Sequence, residues 1–502
     1  MSDQSTQNAI ESLEPTWVWQ LFAGIAATPR PSKYEERIRQ HVRAVAEQHG
    51  LKVREDDVGN MLIEVPATSG CEGAPITVLQ GHLDMVPEAN SGTQHDFEKD
   101  PIRLIIDKDP DDGRQIVRAD GTTLGADNGI GVAMALAAAI DPDVAHGPLE
   151  LFFTVDEEAG MTGAKALAPD FFRGRRLLNL DSEEDDAIYM GCAGGMDTNL
   201  TWDFALQTTT GGDTACRVVV SGLRGGHSGG DIHENRGNAI KLLTRTLMGA
   251  APESLRIAEI TGGSKRNAIP REASAVVLAP AAQRDALQKA AAQVRTDAIA
   301  ESYEANLKIA IEDTGQDGAS AALSPEDTMR FLRALAALPH GVIGMHPKVD
   351  GLVQTSNNLA TLVAEKADGG GKMHVNVELL SRSSSRSLLY VVAAQLAAIG
   401  RLAGAAVQQG GEYPGWEPNV DSPTLATCRK VYESVFGESP KVMAIHAGLE
   451  CGIIGERVGE MDMVSFGPTI RGAHSPDERV YVASVQKSWK YLVAVLAELA
   501  KG

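Results

Sequence analysis

The chain has 502 residues, more than one hydrophobic core usually serves, so its length predicts at least two domains. Hydrophobic residues make up 43% of the sequence, an ordinary share for a globular protein. The 67 acidic and 46 basic residues give a formal net charge of -21, which argues against nucleic acid or an anionic membrane as a partner, because both would be repelled.

The N-terminal sequence lacks a basic segment followed by an apolar core, and the sequence has no continuous apolar run of about 18 residues. We therefore expect a cytoplasmic protein. The 5 cysteines are widely spaced and form no Cys-x-x-Cys pair, which predicts reduced thiols and no structural zinc held by thiolates.

The first part of the chain alternates predicted helices and strands. A helix around Trp17 is broken by Pro29 and Pro31, and Ser32 with Glu35 has the spacing of a capping box that opens a second helix. Such alternation predicts a mostly parallel sheet with helices on both faces. The predicted strands are 52–65 in two runs, 76–79, 102–106, 149–155 and 176–180, with a helix at 130–140.

The composition changes near residues 191–195, and a new order of elements begins. That order is strand, helix, strand, strand, helix, strand, followed by a second round, which resembles two ferredoxin-like units. We therefore predict an α/β protein in which segments 1–193 and 413–502 form one domain, with an inserted α+β lid domain at 194–412. The predicted elements of the insertion are strands 215–221, 255–261, 273–279, 306–312, 359–364, 373–380 and one near Val407, and helices 235–249, 281–303, 325–338 and 384–403.

Polar side chains follow the predicted strands of the first domain where each strand ends. The run 76–79 opens into a loop with His82 and Asp84, and ligands in open α/β sheets gather at the carboxyl ends of strands. Three later strand exits repeat the pattern, and a glycine-rich loop places an aspartate near a predicted helix start. These side chains are Glu157, Glu158, Asp181 and His474 at strand exits, and Asp127 at the helix start.

Each of these residues also has an ordinary structural interpretation when it is taken alone. Asp127 could be a helix N-cap, the pair Glu157 and Glu158 a solvated acidic turn, Asp181 a turn cap and His474 an ordinary loop histidine. Their recurrence at predicted strand exits and at a predicted helix start favours a shared metal site.

In sequence order these motifs resemble the M20 family of co-catalytic zinc peptidases. The motifs are Gly81-His82-Leu83-Asp84, Gly125-Ala126-Asp127-Asn128-Gly129, Asp156-Glu157-Glu158-Ala159-Gly160, Leu180-Asp181-Ser182 and Gly472-Ala473-His474-Ser475. Residues 29–35, 223–233, 266–272, 413–416 and 445–452 are similar to the branch of aminoacyl-histidine dipeptidases. The resemblance runs through nearly the whole chain.

The resemblance implies two divalent metal ions bridged by Asp127, most often zinc, with cobalt or manganese as alternatives. One ion would be held also by His82 and Asp181, the other by Glu158 and His474. Carboxylate and imidazole ligands without thiolate suit these metals. Glu157 would act as general base, and Asp84 would orient His82.

Four residues of the insertion and of the last segment match the family's substrate contacts. The resemblance implies that His227 stabilises the oxyanion, either within its own chain or across a dimer, and that Arg382 binds the peptide carboxylate. Asn267 and Gly448 would line the pocket. A surface arginine for Arg382 and a helix-start glycine for Gly448 remain open interpretations.

The expected function is hydrolysis of Xaa-His dipeptides of the carnosine type. Another M20 amidohydrolase, such as a tripeptidase or an N-acyl amino acid deacylase, is the alternative, and a catalytically silent binding protein is a third class that Glu157 argues against. Shorter members of the family dimerise through a single inserted unit. A homodimer through the inserted domain and a doubled unit that works within one chain are therefore both open.

Overall fold

The computed structural model describes residues 9–208, 213–250, 254–280, 283–314, 319–367 and 371–501. The chain folds into two compact units: the first comprises Met1–Gly191, Trp416–Ala444 and Leu449–Gly502, and the second Cys192–Gly415 and Ile445–Gly448. The four residues Ile445–Gly448, expected in the last catalytic segment, thus belong to the second unit. No helix among the described residues is long and apolar enough to cross a membrane.

The first unit contains an eight-stranded sheet among its described residues. Its four central strands run parallel, and antiparallel strands pair at its edges. The strand order is Lys52–Glu55, Met61–Val65, Leu149–Thr154, Thr77–His82, Arg176–Asn179, Asp462–Ser465, Ala187–Cys192 and Lys441–Ile445. The predicted α/β fold with a mostly parallel sheet is confirmed.

The central strands are buried on both faces, as their continuous apolar sequences require. All six residues of Thr77–His82 and of Leu149–Thr154 are buried. The helix Ala126–Ile140 is apolar nearly all round its circumference, which fits a helix packed inside a large protein. The helices of this unit are Thr16–Ala26, Glu36–Gln48, Ala126–Ile140, Thr162–Ala166, Pro423–Phe436, Glu450–Val458 and Val482–Leu499.

A small sheet of the first unit was not predicted as a sheet. Its described strands are, in order, Ile470–Arg471, Arg479–Tyr481, Gln115–Ala119 and Leu104–Lys108, all antiparallel neighbours. The first two strands enclose a loop that contains His474. The third strand precedes the loop that leads to Asp127, so this sheet brings two distant parts of the chain together.

The second unit contains a nine-stranded antiparallel sheet among its described residues. Strands along its path are Lys308–Asp313, Asp213–Ser221, Ala273–Pro280, Arg256–Gly262, Val353–Lys366, Lys372–Ser383, Gly194–Ala205 and Ala406–Tyr413, with Gly341–Met345 paired beside Val353–Lys366. The helices are Ala239–Met248, Arg284–Ser302, Pro325–Ala337 and Arg386–Leu402, and the predicted start of the second at Ala281 lies outside the described residues.

Each half of this sheet is one strand-helix-strand-strand-helix-strand unit. Numbered by their position in the sequence of the unit, its strands lie side by side in the order 4-1-3-2. The two halves meet where Arg256–Gly262 pairs with Val353–Lys366. In the second half, Gly194–Ala205 is the first strand. The whole first half is therefore inserted, along the sequence, after that strand.

The predicted capping box at the second helix is wrong. The N-cap residue Glu35 makes no side-chain capping bond, and its carboxylate accepts from the backbone N–H of Lys33 and of Asp156 instead. The hydroxyl of Ser32 donates to Asp84, 2.7 Å away. Both side chains that match the capping pattern contact loops at the strand ends of the sheet.

Candidate active site

His82 is the last residue of the central strand Thr77–His82 and is fully buried. Its Nε2 atom lies 3.0 Å from Oδ1 of Asp127 and 3.4 Å from Oδ1 of Asp181. Asp181 follows the neighbouring parallel strand Arg176–Asn179, so the sheet itself places these two side chains side by side.

The carboxylate of Asp127 lies between two histidines. Its Oδ1 accepts from Nε2 of His82 at 3.0 Å, and its Oδ2 accepts from Nε2 of His474 at 3.1 Å. His474 also lies 2.9 Å from Oε2 of Glu158. His82 and His474 thus share the carboxylate of Asp127. Each histidine also has a second carboxylate beside it, Asp181 for His82 and Glu158 for His474.

Asp84 connects His82 to the strand exit that carries Glu157 and Glu158. Its Oδ1 lies 3.3 Å from Nδ1 of His82 and accepts from the backbone N–H of Glu157, and its Oδ2 accepts from the N–H of Glu158. Burial acts to raise the pKa of Asp84, but its contacts to His82, Ser32 and Glu157 lower the pKa to about 2. Asp84 is therefore an anion that orients both the imidazole and the acidic turn.

Several carboxylates lie close together in the cluster, and the pKa values of three of its side chains are raised. Hydrogen bonds to Asp127 and Glu158 raise the pKa of His474 to about 11. Burial raises the pKa of Asp181 to about 7, and burial also raises the pKa of Glu157 well above its usual range. Without another cation, protons on the imidazoles and carboxyls must balance the negative charge.

The cluster fits divalent metal ions. His82, Asp127 and Glu158 each offer a ligand atom, and these atoms lie within 4.8 Å of one another. Oδ1 of Asp181 and Oε1 of Glu158 are buried and accept no hydrogen bond from the described residues. Metal ions bind ionised carboxylate and neutral imidazole, so they would replace the protons that now balance the charge.

His227 lies in the second unit, on a glycine-rich loop. Its Nδ1 accepts from the backbone N–H of Gly230 at 3.0 Å and of Gly229 at 3.3 Å, and burial lowers its pKa. A neutral imidazole that accepts at Nδ1 carries its proton on Nε2. His227 is therefore held as an Nε2–H donor.

Arg382 belongs to the same region of the second unit and is buried. Its Nη1 donates to the hydroxyl of Tyr413 at 2.6 Å, and it contacts Oγ of Ser228 more weakly at 3.4 Å. No carboxylate among the described residues pairs with it. A buried guanidinium without an acidic partner is a site suited to an anionic ligand.

Asn267 and Gly448 lie beside these groups. The backbone carbonyl of Asn267 accepts from the N–H of Ser228 at 2.8 Å, and its side chain is exposed. A methyl group at Gly448 would lie 3.0 Å from the ring of Tyr413, which holds Arg382. All four predicted substrate contacts thus fall within one region of the second unit.

Three charged side chains that the sequence did not single out support the cluster of the first unit. Arg30 and Glu478 are buried against the backbone of the loops that carry His82 and Asp127, and Glu478 lies in the loop that carries His474. Glu450 is buried against Gln80, two residues before His82. The only signal for Arg30 was its position in residues 29–35, which resemble the family, and a single sequence gives no sign that a charged residue will be buried.

Comparisons with known proteins agree with this fold. Residues 78–498 match the family model described as Peptidase family M20/M25/M40. The chain therefore belongs to this family, which makes it a peptidase.

Individual relatives match over the full length of the chain. It is 42% identical over 494 residues to the cytosol non-specific dipeptidase of Escherichia coli (strain K12), covering 98% of this chain and 99% of the relative. The crystal structure of aminoacylhistidine dipeptidase from Vibrio alginolyticus superposes with a TM-score of 0.88 at 43% identity, covering 97% of both chains. Aminopeptidase PepT from Bacillus cereus, with a TM-score of 0.62 at 16% identity over 97% of this chain and 99% of its own, shares the fold.

Proposed function

We propose that the chain is a cytoplasmic dipeptidase that uses two metal ions to hydrolyse the peptide bond of Xaa-His dipeptides. Its full-length relatives are named as dipeptidases, and one of them as an aminoacylhistidine dipeptidase. The observation that carries the proposal is the carboxylate of Asp127, which reaches one histidine with each oxygen.

The donor set divides into two groups that share Asp127. His82 and Asp181 would complete one metal site, and Glu158 and His474 the other. Imidazole and carboxylate ligands without thiolate suit zinc, the ion we propose, with cobalt or manganese as alternatives. When bound, the two ions would supply Lewis acidity and lower the pKa of a bound water.

Glu157 is the proposed general base. Burial raises the pKa of its carboxyl, and Asp84 fixes its backbone through the N–H. A carboxylate in such a setting can take a proton from the attacking water and later give it to the leaving amine. Asp84 keeps the imidazole of His82 oriented, which supports the site without contacting substrate.

The second unit would supply the substrate contacts. His227 offers an Nε2–H donor suited to a developing oxyanion, and Arg382 offers a buried cation for the terminal carboxylate. Asn267 and Gly448 would border the same pocket. The dipeptide is the proposed partner, and a homodimer through the second unit remains part of the proposal.

The test begins with purified chain that is stripped of metal and refilled with zinc, cobalt or manganese alone. We expect two ions per chain and faster hydrolysis of Xaa-His than of Xaa-Leu dipeptides, tripeptides or N-acetyl amino acids. A preference for tripeptides or N-acetyl substrates would instead assign the chain to another activity of the family.

The variant Glu157→Gln isolates the base. It should lower kcat by about 10²- to 10⁴-fold, the usual contribution of a general base, while metal content stays at the wild-type value. Glu88→Gln, at an exposed glutamate on the loop after Asp84, is the matched control and should turn over normally. Retained turnover in Glu157→Gln would exclude this residue as the base.

A further inference from the structure

The loop between strands Ile470–Arg471 and Arg479–Tyr481 carries both His474 and Glu478. The carboxylate of Glu478 is buried and accepts four backbone N–H groups from one stretch of chain. Oε2 accepts from Leu124 at 2.7 Å and Gly125 at 2.8 Å, and Oε1 accepts from Ala126 at 2.8 Å and Asp127 at 3.2 Å. One side chain thus fixes the backbone at Asp127 to the loop of His474.

Arg30 makes the complementary connection on the other side of that backbone. Its buried guanidinium donates to the carbonyls of Leu83 at 2.9 Å and Asp84 at 2.8 Å, and its Nη2 donates to the carbonyl of Gly125. A Cβ at Gly125 would lie 2.5 Å from Nη2, so this glycine leaves room for the guanidinium.

These two side chains contact backbone groups of the loops that carry His82 and Asp127, and Glu478 itself belongs to the loop that carries His474. Removing a carboxylate and a guanidinium from water is costly unless each is well hydrogen-bonded. Here loop N–H groups satisfy both oxygens of Glu478, and Arg30 donates to loop carbonyls through both Nη atoms while its Nε has no partner among the described residues. Their opposite charges attract each other across the loop at Gly125. A site whose ligand loops are held by such contacts needs little rearrangement when it binds an ion.

We infer that Arg30 and Glu478 are positioning residues that preorganise the loops of His82, Asp127 and His474 for metal binding. The inference rests on the proposed function, because it takes these three side chains as metal ligands. Neither residue would bind metal or substrate itself.

The experiment measures zinc and manganese affinity, each metal alone, by competition with a chromogenic chelator in wild type and in Glu478→Gln. The amide can accept through its oxygen only, and its NH₂ group faces two backbone donors. We expect metal affinity to fall about 10- to 100-fold, the range typical for groups that orient ligands.

Glu150→Gln is the matched control. Glu150 is also buried in the first unit and accepts the backbone N–H of Arg173 and Gly174, away from the ligand loops. It should lose thermal stability and keep wild-type metal affinity. Equal loss of affinity in both variants would show a general effect of destabilisation and overturn the inference.

Wild-type affinity in Glu478→Gln would also overturn it. If that variant does not fold, Arg30→Lys provides the test. A lysine ammonium cannot reach all three carbonyls, so this variant should also bind metal about 10- to 100-fold more weakly. Failure of the wild type to bind two ions or cleave dipeptides would refute the proposed function, whereas normal wild type with a normal variant would refute this inference alone.

Discussion

A buried guanidinium normally has a carboxylate beside it, and Arg382 has a phenol and a serine hydroxyl instead. The phenol of Tyr413 fixes the direction of the guanidinium but leaves its positive charge unbalanced. A terminal carboxylate can accept two parallel N–H bonds from such a group. The proposed role of Arg382 can therefore be separated from simple packing by varying the charge of the substrate.

Arg382→Met keeps most of the side-chain volume and removes the charge. We expect KM for a dipeptide to rise about ten- to a hundredfold, since hydrogen bonds to charged groups are worth about 1.5–3 kcal/mol, with a smaller change in kcat. The same assay with the C-terminally amidated dipeptide completes a double comparison of two proteins and two substrates. Wild type should bind the amide as weakly as the variant binds either substrate. A variant that still prefers the free acid would rule out this contact.

At this scale the sequence predicted the side chains that the structure brings together in the cluster, and it missed the buried charged residues beside them. His82, Asp181 and Glu158 could be found because parallel strands end at a common edge, so their positions follow from the pattern of strands. Arg30 and Glu478 contact backbone of loops distant along the chain, and no local pattern encodes such contacts. Ser32 even matched a capping box, but its hydroxyl bonds to Asp84.

At the scale of elements, a row of polar side chains crosses the parallel sheet just before the strand ends. Gln80 is paired in register with Asn179, and Asn179 with Ser465. Asn179 donates to Gln80 and accepts from Ser465. At one end of the row, Glu450 accepts from Gln80 at 2.8 Å and from Thr154 at 2.6 Å. Strand patterns predicted these strands, but the partner Glu450 comes from a helix far along the sequence.

Burial raises the pKa of Glu450 to about 8, so its carboxyl holds a proton in the metal-free fold at neutral pH. Its unfolded pKa is about 4.3, and the native state therefore binds more protons than the unfolded state between these two values. The protonated carboxyl of Glu450 therefore contributes to folding stability in full below about pH 4.3, and this contribution is lost as the pH rises through about 8. Glutamine mimics the neutral acid and does not titrate.

We therefore expect Glu450→Gln to melt close to wild type at pH 5 and several degrees above it at pH 9, in metal-free protein. The measurement is Tm by circular dichroism across this pH range, with chelator present. Glu450→Ala, which leaves the amide of Gln80 and the hydroxyl of Thr154 without their acceptor, should be less stable than Glu450→Gln at every pH. A constant difference between Glu450→Gln and wild type would show that Glu450 does not titrate in this range.

At the scale of the whole molecule, the sequence predicted two units but not how the second is threaded. The pattern of helices and strands indicated two ferredoxin-like rounds, yet the first strand of one round, Gly194–Ala205, precedes the entire other round. Sequence order cannot reveal such nesting, because strand pairing over this distance depends on side-chain packing in three dimensions. The second unit has a hydrophobic core of its own, built from residues of both halves.

A metal cluster confined to the first unit and a hydrophobic core confined to the second predict that removing metal acts on the first unit. An ion that binds the native state alone stabilises it by about 4 kcal/mol at a thousand times its Kd, and this stabilisation is lost when the ion is removed. We expect scanning calorimetry to show two transitions, with chelator lowering the first unit's Tm by roughly 10 °C.

Hydrogen exchange followed by mass spectrometry assigns the transitions, with peptides from Leu149–Thr154 reporting the first unit and peptides from Lys372–Ser383 the second. Arg382→Met serves as the converse control, because its change lies in the second unit and should leave the chelator-sensitive transition in place. If chelator lowered the Tm of both transitions equally, the stabilisation from metal binding would extend to the whole chain. An unchanged thermogram would place no metal in the cluster of His82, Asp127 and His474.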